Sequence, residues 1–330
     1  MTERKKTLVF HQGALGDLIL TFPALRELRK GCTVADGICQ GKLGRLACDL
    51  HIFDRFFPLE SAGFASLWSD SSPAEPRVLH LLDSYDQILI FSFSRNLEDN
   101  IKKMSKIPVF RVPPRPPVHQ GIHVTHFIWD QLALQGVLPP NRALPEEKKY
   151  KCPTGSQKIL IHPGSGSPRK NWPLNHFIQV YDILKSEGIE AEFILGPAEE
   201  FMAEDMQGLL VHCTPALSEI AEIMKNASAY LGNDSGLTHL AAFLGLPVTA
   251  IFGPSDPRRW KPLGNVRILR PSDLKCPPCF ETERENCADS ACLNRISADM
   301  AVCTIKEMLI GNSFLDSGSN RLTMSSLPGF

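Results

Sequence analysis

The chain has 330 residues, of which 43% are hydrophobic and 22% charged, a balance that excludes a disordered or membrane-embedded protein and suits a soluble globular one. Thirty-five basic and 36 acidic residues leave a net charge of -1, so no long-range field draws nucleic acid, and an anionic ligand must be held by local groups. At roughly 150 residues per domain this length predicts two domains, each large enough to bury a core of its own.

The opening MTERKKTLVF lacks the apolar stretch of a signal peptide, because His11, Gln12 and Gly13 interrupt it at once. The longest apolar stretch, Leu240 to Phe252, is 13 residues long and contains Gly245 and Pro247, short of the roughly 18 residues of a membrane helix. The cytoplasm is therefore the expected compartment, with most of the ten cysteines kept as thiols.

Short apolar runs alternate with segments of helical period along most of the chain, the pattern of βα units around a parallel sheet. In the first half Thr7 to Phe10, Thr33 to Cys39, Gln87 to Phe93 and Pro108 to Val112 read as strands. Between the first two, Leu18, Phe22, Leu25 and Leu28 recur at helical spacing, with Pro23 as an expected kink. Pro139 to Lys158, rich in proline and charge, is the expected linker.

The pattern then repeats. KILI from Lys158 is a strand, and the following helix opens at Pro173 and stops at Gly188. EAEFILG, LLVHC, AYLGN, PVTAIFG and VRIL supply further strands. The expected class is α/β, with two Rossmann-like domains facing across a cleft: an N-terminal domain at 1–150, a C-terminal domain at 151–310, and a polar, aperiodic tail at 311–330.

Three strand-to-helix loops carry chemistry. In FHQGALGD, Gly13, Gly16 and Asp17 set backbone amides and one carboxylate at the carboxyl end of the first sheet, where open α/β folds bind ligands. Asp17 reads equally as a helix N-cap, and the glycines match neither a dinucleotide GxGxxG nor a Walker loop. In IHPGSGSPRKNWP, Gly164, Ser165, Gly166 and Lys170 offer amides, a hydroxyl and a cation beside a helix start, which is what a diphosphate requires. A solvated surface turn is the competing reading. In YLGNDSGLTHLAAFLG, Asp234, Ser235, Gly236, Leu237 and His239 open another helix; Asp234 or Ser235 serves as a cap, and His239 alone reads as a core histidine. Together with the turn GPSDPRRW these residues combine a carboxylate for sugar hydroxyls with a helix start for phosphate.

The segments GALGDLILTFPALRELR, HPGSGSPRKNWP and GNDSGLTHLAAFLGLPVTAIFGPSDPRRW resemble the successive signatures of glycosyltransferase family 9, the bacterial lipopolysaccharide heptosyltransferase family, in the same order, between Thr7 and Ile310. The resemblance implies the GT-B fold, with an acceptor-side first domain and a nucleotide-sugar-binding second one. It implies inverting transfer of a sugar, ADP-heptose being the favoured donor, to a lipopolysaccharide-core acceptor, with at most peripheral contact at the inner face of the inner membrane. By position Asp17 matches the family's general base, Ser165 and Lys170 the residues that hold the donor diphosphate, and Asp234 the contact to the donor sugar. Glu199 and Glu200 fall where relatives place an acidic residue near the nucleoside, while His11 stands where the family often has a basic or small polar residue. Between Cys32 and Gln120 no motif identifies an acceptor. A nucleotide-sugar epimerase and a catalytically silent binding protein are the rival readings, and joint retention of Asp17, Lys170 and Asp234 argues against the silent one.

No D-x-D occurs anywhere, so no catalytic metal is expected. The cysteines Cys276, Cys279, Cys287 and Cys292, followed by Cys303, open with a CxxC spacing suited to structural zinc. A disulfide and free thiols compete with that reading.

Overall fold

The computed structural model describes residues 4–68, 75–141, 158–197, 199–213, 215–274, 276–282, 287 and 290–316, with residues 311–316 as backbone. Among the described residues, eleven strands form two sheets in which every recorded pairing is parallel. The first sheet contains β1 (Lys5–His11), β2 (Cys32–Cys39), β3 (Phe56–Pro58), β4 (Gln87–Phe91) and β5 (Val109–Val112), in the order β3-β2-β1-β4-β5. The second contains β6 (Ile159–His162), β7 (Ala191–Leu195), β8 (Val211–Cys213), β9 (Ala229–Asn233), β10 (Val248–Ile251) and β11 (Val266–Leu269), in the order β11-β10-β9-β6-β7-β8. Strands β4, β6, β7, β9 and β10 are buried at every position, because crossover helices cover both faces of such a sheet. That is why they read as continuous apolar runs.

The helices are α1 (Leu15–Lys30), α2 (Gly41–Asp49), α3 (Pro76–Asp83), α4 (Arg95–Met104), α5 (Val124–Leu134), α6 (Leu174–Ser186), α7 (Leu217–Lys225), α8 (Gly236–Leu244), α9 (Pro257–Trp260), α10 (Ala291–Asn294) and α11 (Ala298–Asp316). Helix α1 runs through Pro23 as one element and buries the expected stripe of Leu18, Phe22, Leu25 and Leu28. Helix α8 stops where Gly245 takes a left-handed φ of 99°, a conformation glycine adopts without a Cβ penalty. Helix α11 continues to Asp316, past the Gly311 at which composition places the tail. A glycine inside a helix costs only about 1 kcal/mol relative to alanine, so it does not by itself end one. The boundary expected at residue 150 lies outside the described residues, as do residues 317–330.

The two halves share a core. Leu18, Phe22 and Leu25 of α1 belong to one apolar cluster with Leu237, Leu240 and Ala241 of α8. The rings of Phe22 and Phe243 meet edge to face at 4.9 Å, and the Arg26 guanidinium sits 4.1 Å above the Phe243 ring centroid. A buried side chain such as Leu240 or Phe22 contributes about 1.5–3 kcal/mol, so this seam holds the first half against the second. Each half also keeps a cluster of its own on its other face. The loops that follow β1, β6, β9 and β10 therefore open onto a common space.

Candidate active site

Helix α1 and helix α8 begin almost in contact. A Cβ on Gly236 would stand 2.8 Å from the Cβ of Leu15, and one on Gly16 would lie 3.4 Å from the His239 ring. Only a residue without a side chain fits at 236. Beside this junction lies a cavity of about 230 Å³, lined from the first half by Ala14, Gly16, Asp17 and Arg115, and from the second by Lys170, Asp234, Ser235, His239, Ser255 and Phe280, among others.

Asp17 occupies the third position of α1, not the N-cap; Ala14 is the cap residue, and its N–H donates to Asp17 Oδ2 at 3.1 Å. One carboxylate oxygen thus secures the helix start while the residue borders the cavity. A Cβ at Gly13 would collide with Asp17 at 2.7 Å, so the glycine expected near the ligand supports the loop that carries the carboxylate.

Across the cavity, Lys170 Nζ donates to Asp234 Oδ2 at 3.2 Å and lies 5.0 Å from the centroid of the Phe280 ring. His239 Nε2 is 3.9 Å from the other Asp234 oxygen, too far for a hydrogen bond. Burial works against the Asp234 charge, yet the nearby His239 and Lys170 hold its pKa below the ordinary carboxylate value. Ser235 is the true N-cap of α8 and accepts from the Thr238 N–H at 3.3 Å. Asn233, fully buried, staples the neighbouring loop: its side chain donates to the Pro163 carbonyl at 2.7 Å and accepts from the Trp172 N–H at 2.9 Å.

Other expected residues lie outside the cavity lining. The Ser165 hydroxyl is engaged inside its own loop, with the Ser167 carbonyl at 2.7 Å and Asn171 Oδ1 at 2.6 Å. Glu199 is buried, accepts from the Gly196 N–H at 3.0 Å and fills the space beside Gly164. Glu200 is exposed, and Leu237 belongs to the shared core. Of the second loop, Gly166 and Lys170 reach the cavity.

The cavity also contains residues that no spacing announced. Ser255, 2% exposed, has a hydroxyl without a hydrogen-bond partner among the described residues and faces the site beside Asp234. Arg115 comes from the loop after β5, and Trp260, Phe280 and Glu281 complete the wall. The signals available were only the proline-rich run around Arg115 and the turn GPSDPRRW.

Phe280 and Glu281 belong to the cysteine loop. Cys276 and Cys287 are exposed, Cys279 is half-buried and Cys292 is buried, all as free thiols. Burial pushes the Cys292 thiol up, with Arg270 opposing and the other three thiols close enough to add to the rise. Among the described residues, no three histidine, cysteine or acidic side chains are grouped to hold a metal ion.

Two parallel-sheet halves that meet over one cavity at their carboxyl edges define the GT-B architecture, and solved structures share it over nearly the whole chain. The glycosyl transferase family 9 protein of Veillonella parvula superposes with a TM-score of 0.75 at 18% identity, over 94% of this chain and 99% of that one. The ADP-heptose lps heptosyltransferase II of E. coli does so with a TM-score of 0.69 at 17% identity, over 93% and 99%. The family model of glycosyltransferase family 9 (heptosyltransferase) matches residues 120–288, and the chain belongs to that family. In sequence, lipooligosaccharide heptosyltransferase 2 of Haemophilus influenzae is 28% identical over 153 residues, 43% of this chain and 44% of that protein. The matched segment thus spans less than half the length of this curated relative. Among the described residues, no helix is long and apolar enough to cross a membrane.

Proposed function

We propose that the protein is an inverting glycosyltransferase that moves a sugar, ADP-heptose being the favoured donor, onto a hydroxyl of a lipopolysaccharide-core acceptor on the cytoplasmic side of the inner membrane. The observation that carries this reading is the meeting of Asp17 from the first half with Lys170, Asp234 and the start of α8 from the second around one cavity. In the proposed reaction the acceptor hydroxyl attacks the anomeric carbon from the face opposite the diphosphate. The new carbon–oxygen bond forms as the bond to the diphosphate breaks, and Asp17 takes the hydroxyl proton. Charge grows on the departing diphosphate. Lys170, 15% exposed at its side chain, and the amino end of α8 suit that charge. Asp234 would accept hydrogen bonds from donor-sugar hydroxyls, and Ser255 has a hydroxyl to spare beside it. With no D-x-D in the sequence, this cation and this helix end take the part that a divalent ion has in other glycosyltransferases.

The decisive test is Asp17→Asn, assayed with purified protein, a panel of nucleotide sugars and lipid A-core acceptors. Asparagine keeps an oxygen able to accept from Ala14 and removes the proton acceptor. The variant should lose at least about 100-fold in kcat, the lower bound for a general base, with thermal stability little changed. Near-normal turnover would reduce Asp17 to a support of the helix start.

A further inference from the structure

Arg259 is 1% exposed, and a guanidinium so deeply placed must have its charge and donors matched. Glu281 of the cysteine loop supplies the charge: Arg259 Nε donates to Glu281 Oε2 at 2.8 Å and Nη2 to Oε1 at 3.2 Å. The remaining donors cross to the other half of the molecule. Nη1 donates to the Pro117 carbonyl and Nη2 to the Pro116 carbonyl, each at 3.0 Å. Trp260 Nε1 adds a bond to Glu281 Oε2 at 2.9 Å. One buried cation thus joins α9, the cysteine loop and the loop after β5.

Each partner of this cluster has a neighbour in the cavity. Residues 113–117 read Pro-Pro-Arg-Pro-Pro, a stiff segment with four fixed φ angles, so holding two of its carbonyls also aims Arg115 at the cavity. The cysteine loop is held in turn, because the N–H groups of Cys279 and Phe280 both donate to the Pro254 carbonyl, at 2.8 and 3.0 Å. Phe280 then stands against Lys170.

We propose that Arg259 and Glu281 form a latch that sets the spacing of the two halves across the cavity, with Glu281 a positioning residue that acts on transfer through Arg259. The segment Cys279 to Glu281 is on this view a structural wall of the active site, and its placement is felt by the reacting groups. Donor binding to the second half alone does not need the latch. Transfer does, because Asp17 and Lys170 lie on opposite sides of it. The inference rests on the proposed transfer taking place in this cavity.

The test uses the full chain with Glu281→Gln, Arg259→Lys and the double variant, reading kcat at saturating donor, the Kd of ADP, the melting temperature and the small-angle scattering profile. Glu281→Gln preserves shape while removing the counter-charge, and should lower kcat by about 10- to 100-fold, the scale of a misplacement of about 1 Å remote from the chemistry. The Kd of ADP should stay within about threefold, a change of less than about 1 kcal/mol. The double variant should be no slower than the slower single one, since both changes open the same latch, and scattering should show a more open pair of halves. A folded Glu281→Gln variant with wild-type kcat overturns the latch, as does one in which the loss appears wholly in ADP affinity. Should the wild-type protein transfer no sugar from any donor, the functional reading fails by itself. Scattering still decides the latch in that case, and an unchanged profile in Glu281→Gln overturns it.

Discussion

His11 ends β1 with both ring nitrogens buried and without a hydrogen-bond partner among the described residues, and burial lowers its pKa from the usual 6.5 to about 4. Between those two values the unfolded chain binds a proton that the folded chain refuses. Stability is therefore complete above pH 6.5 and falls as the pH drops toward 4. For this one group the loss between pH 7 and pH 5 amounts to about 2 kcal/mol. His123, also lowered to about 4 by burial, pulls in the same direction. His11→Leu should remove its share of the acid sensitivity without weakening the fold at pH 7, because an apolar side chain leaves no nitrogen unpaired there. Urea melts of both proteins at pH 7 and pH 5 check this, and an undiminished pH slope in the variant would count against the buried, neutral histidine.

At the level of elements, the loops that carry chemistry were readable because each glycine-rich turn sits between a strand and a helix of clear period. Strand β3 was not readable, since Phe56–Pro58 is only three residues long and offers no alternation to detect. Arg115, Phe280 and Glu281 were equally silent, for their roles arise from loops far apart in sequence converging on one cavity. The cysteine loop was legible as a cluster and not as a wall of the site. Structural zinc there remains a proposal, and it requires the exposed Cys276 and Cys287 to close on Cys292. Elemental analysis of protein purified under reducing conditions should then give about one zinc per chain, as a four-thiolate site implies, and chelation should loosen the Phe280–Glu281 segment. Folded, active protein without metal would leave the four cysteines as thiols.

For the molecule as a whole, the two-domain plan follows from the repeat of the βα pattern, yet the seam between the halves does not. Leu18, Phe22 and Leu25 read as an ordinary buried stripe of α1, and nothing in their spacing says that α8 of the other half is what they meet. Because this cluster spans both halves, they should unfold together, giving one calorimetric transition with matching calorimetric and van't Hoff enthalpies. Phe243→Ala, which removes the ring between Phe22 and Arg26, should cost about 3 kcal/mol, the lower end for a large aromatic, and begin to separate the two meltings. Two resolved transitions in the wild-type protein would show that the seam couples the halves only weakly.

The contact of Leu15 with Gly236 has a consequence for how the chain can vary over evolutionary time. A methyl group at 236 is tolerable only after residue 15 has become smaller, and a bulkier, branched residue at 15 is blocked for as long as the two helix starts stay abutted. Residues from opposite halves of the gene are in this way tied to one order of substitution. A chimera that joins the first half of this chain to the second half of a distant relative would have to satisfy that pair before any question of substrate arises.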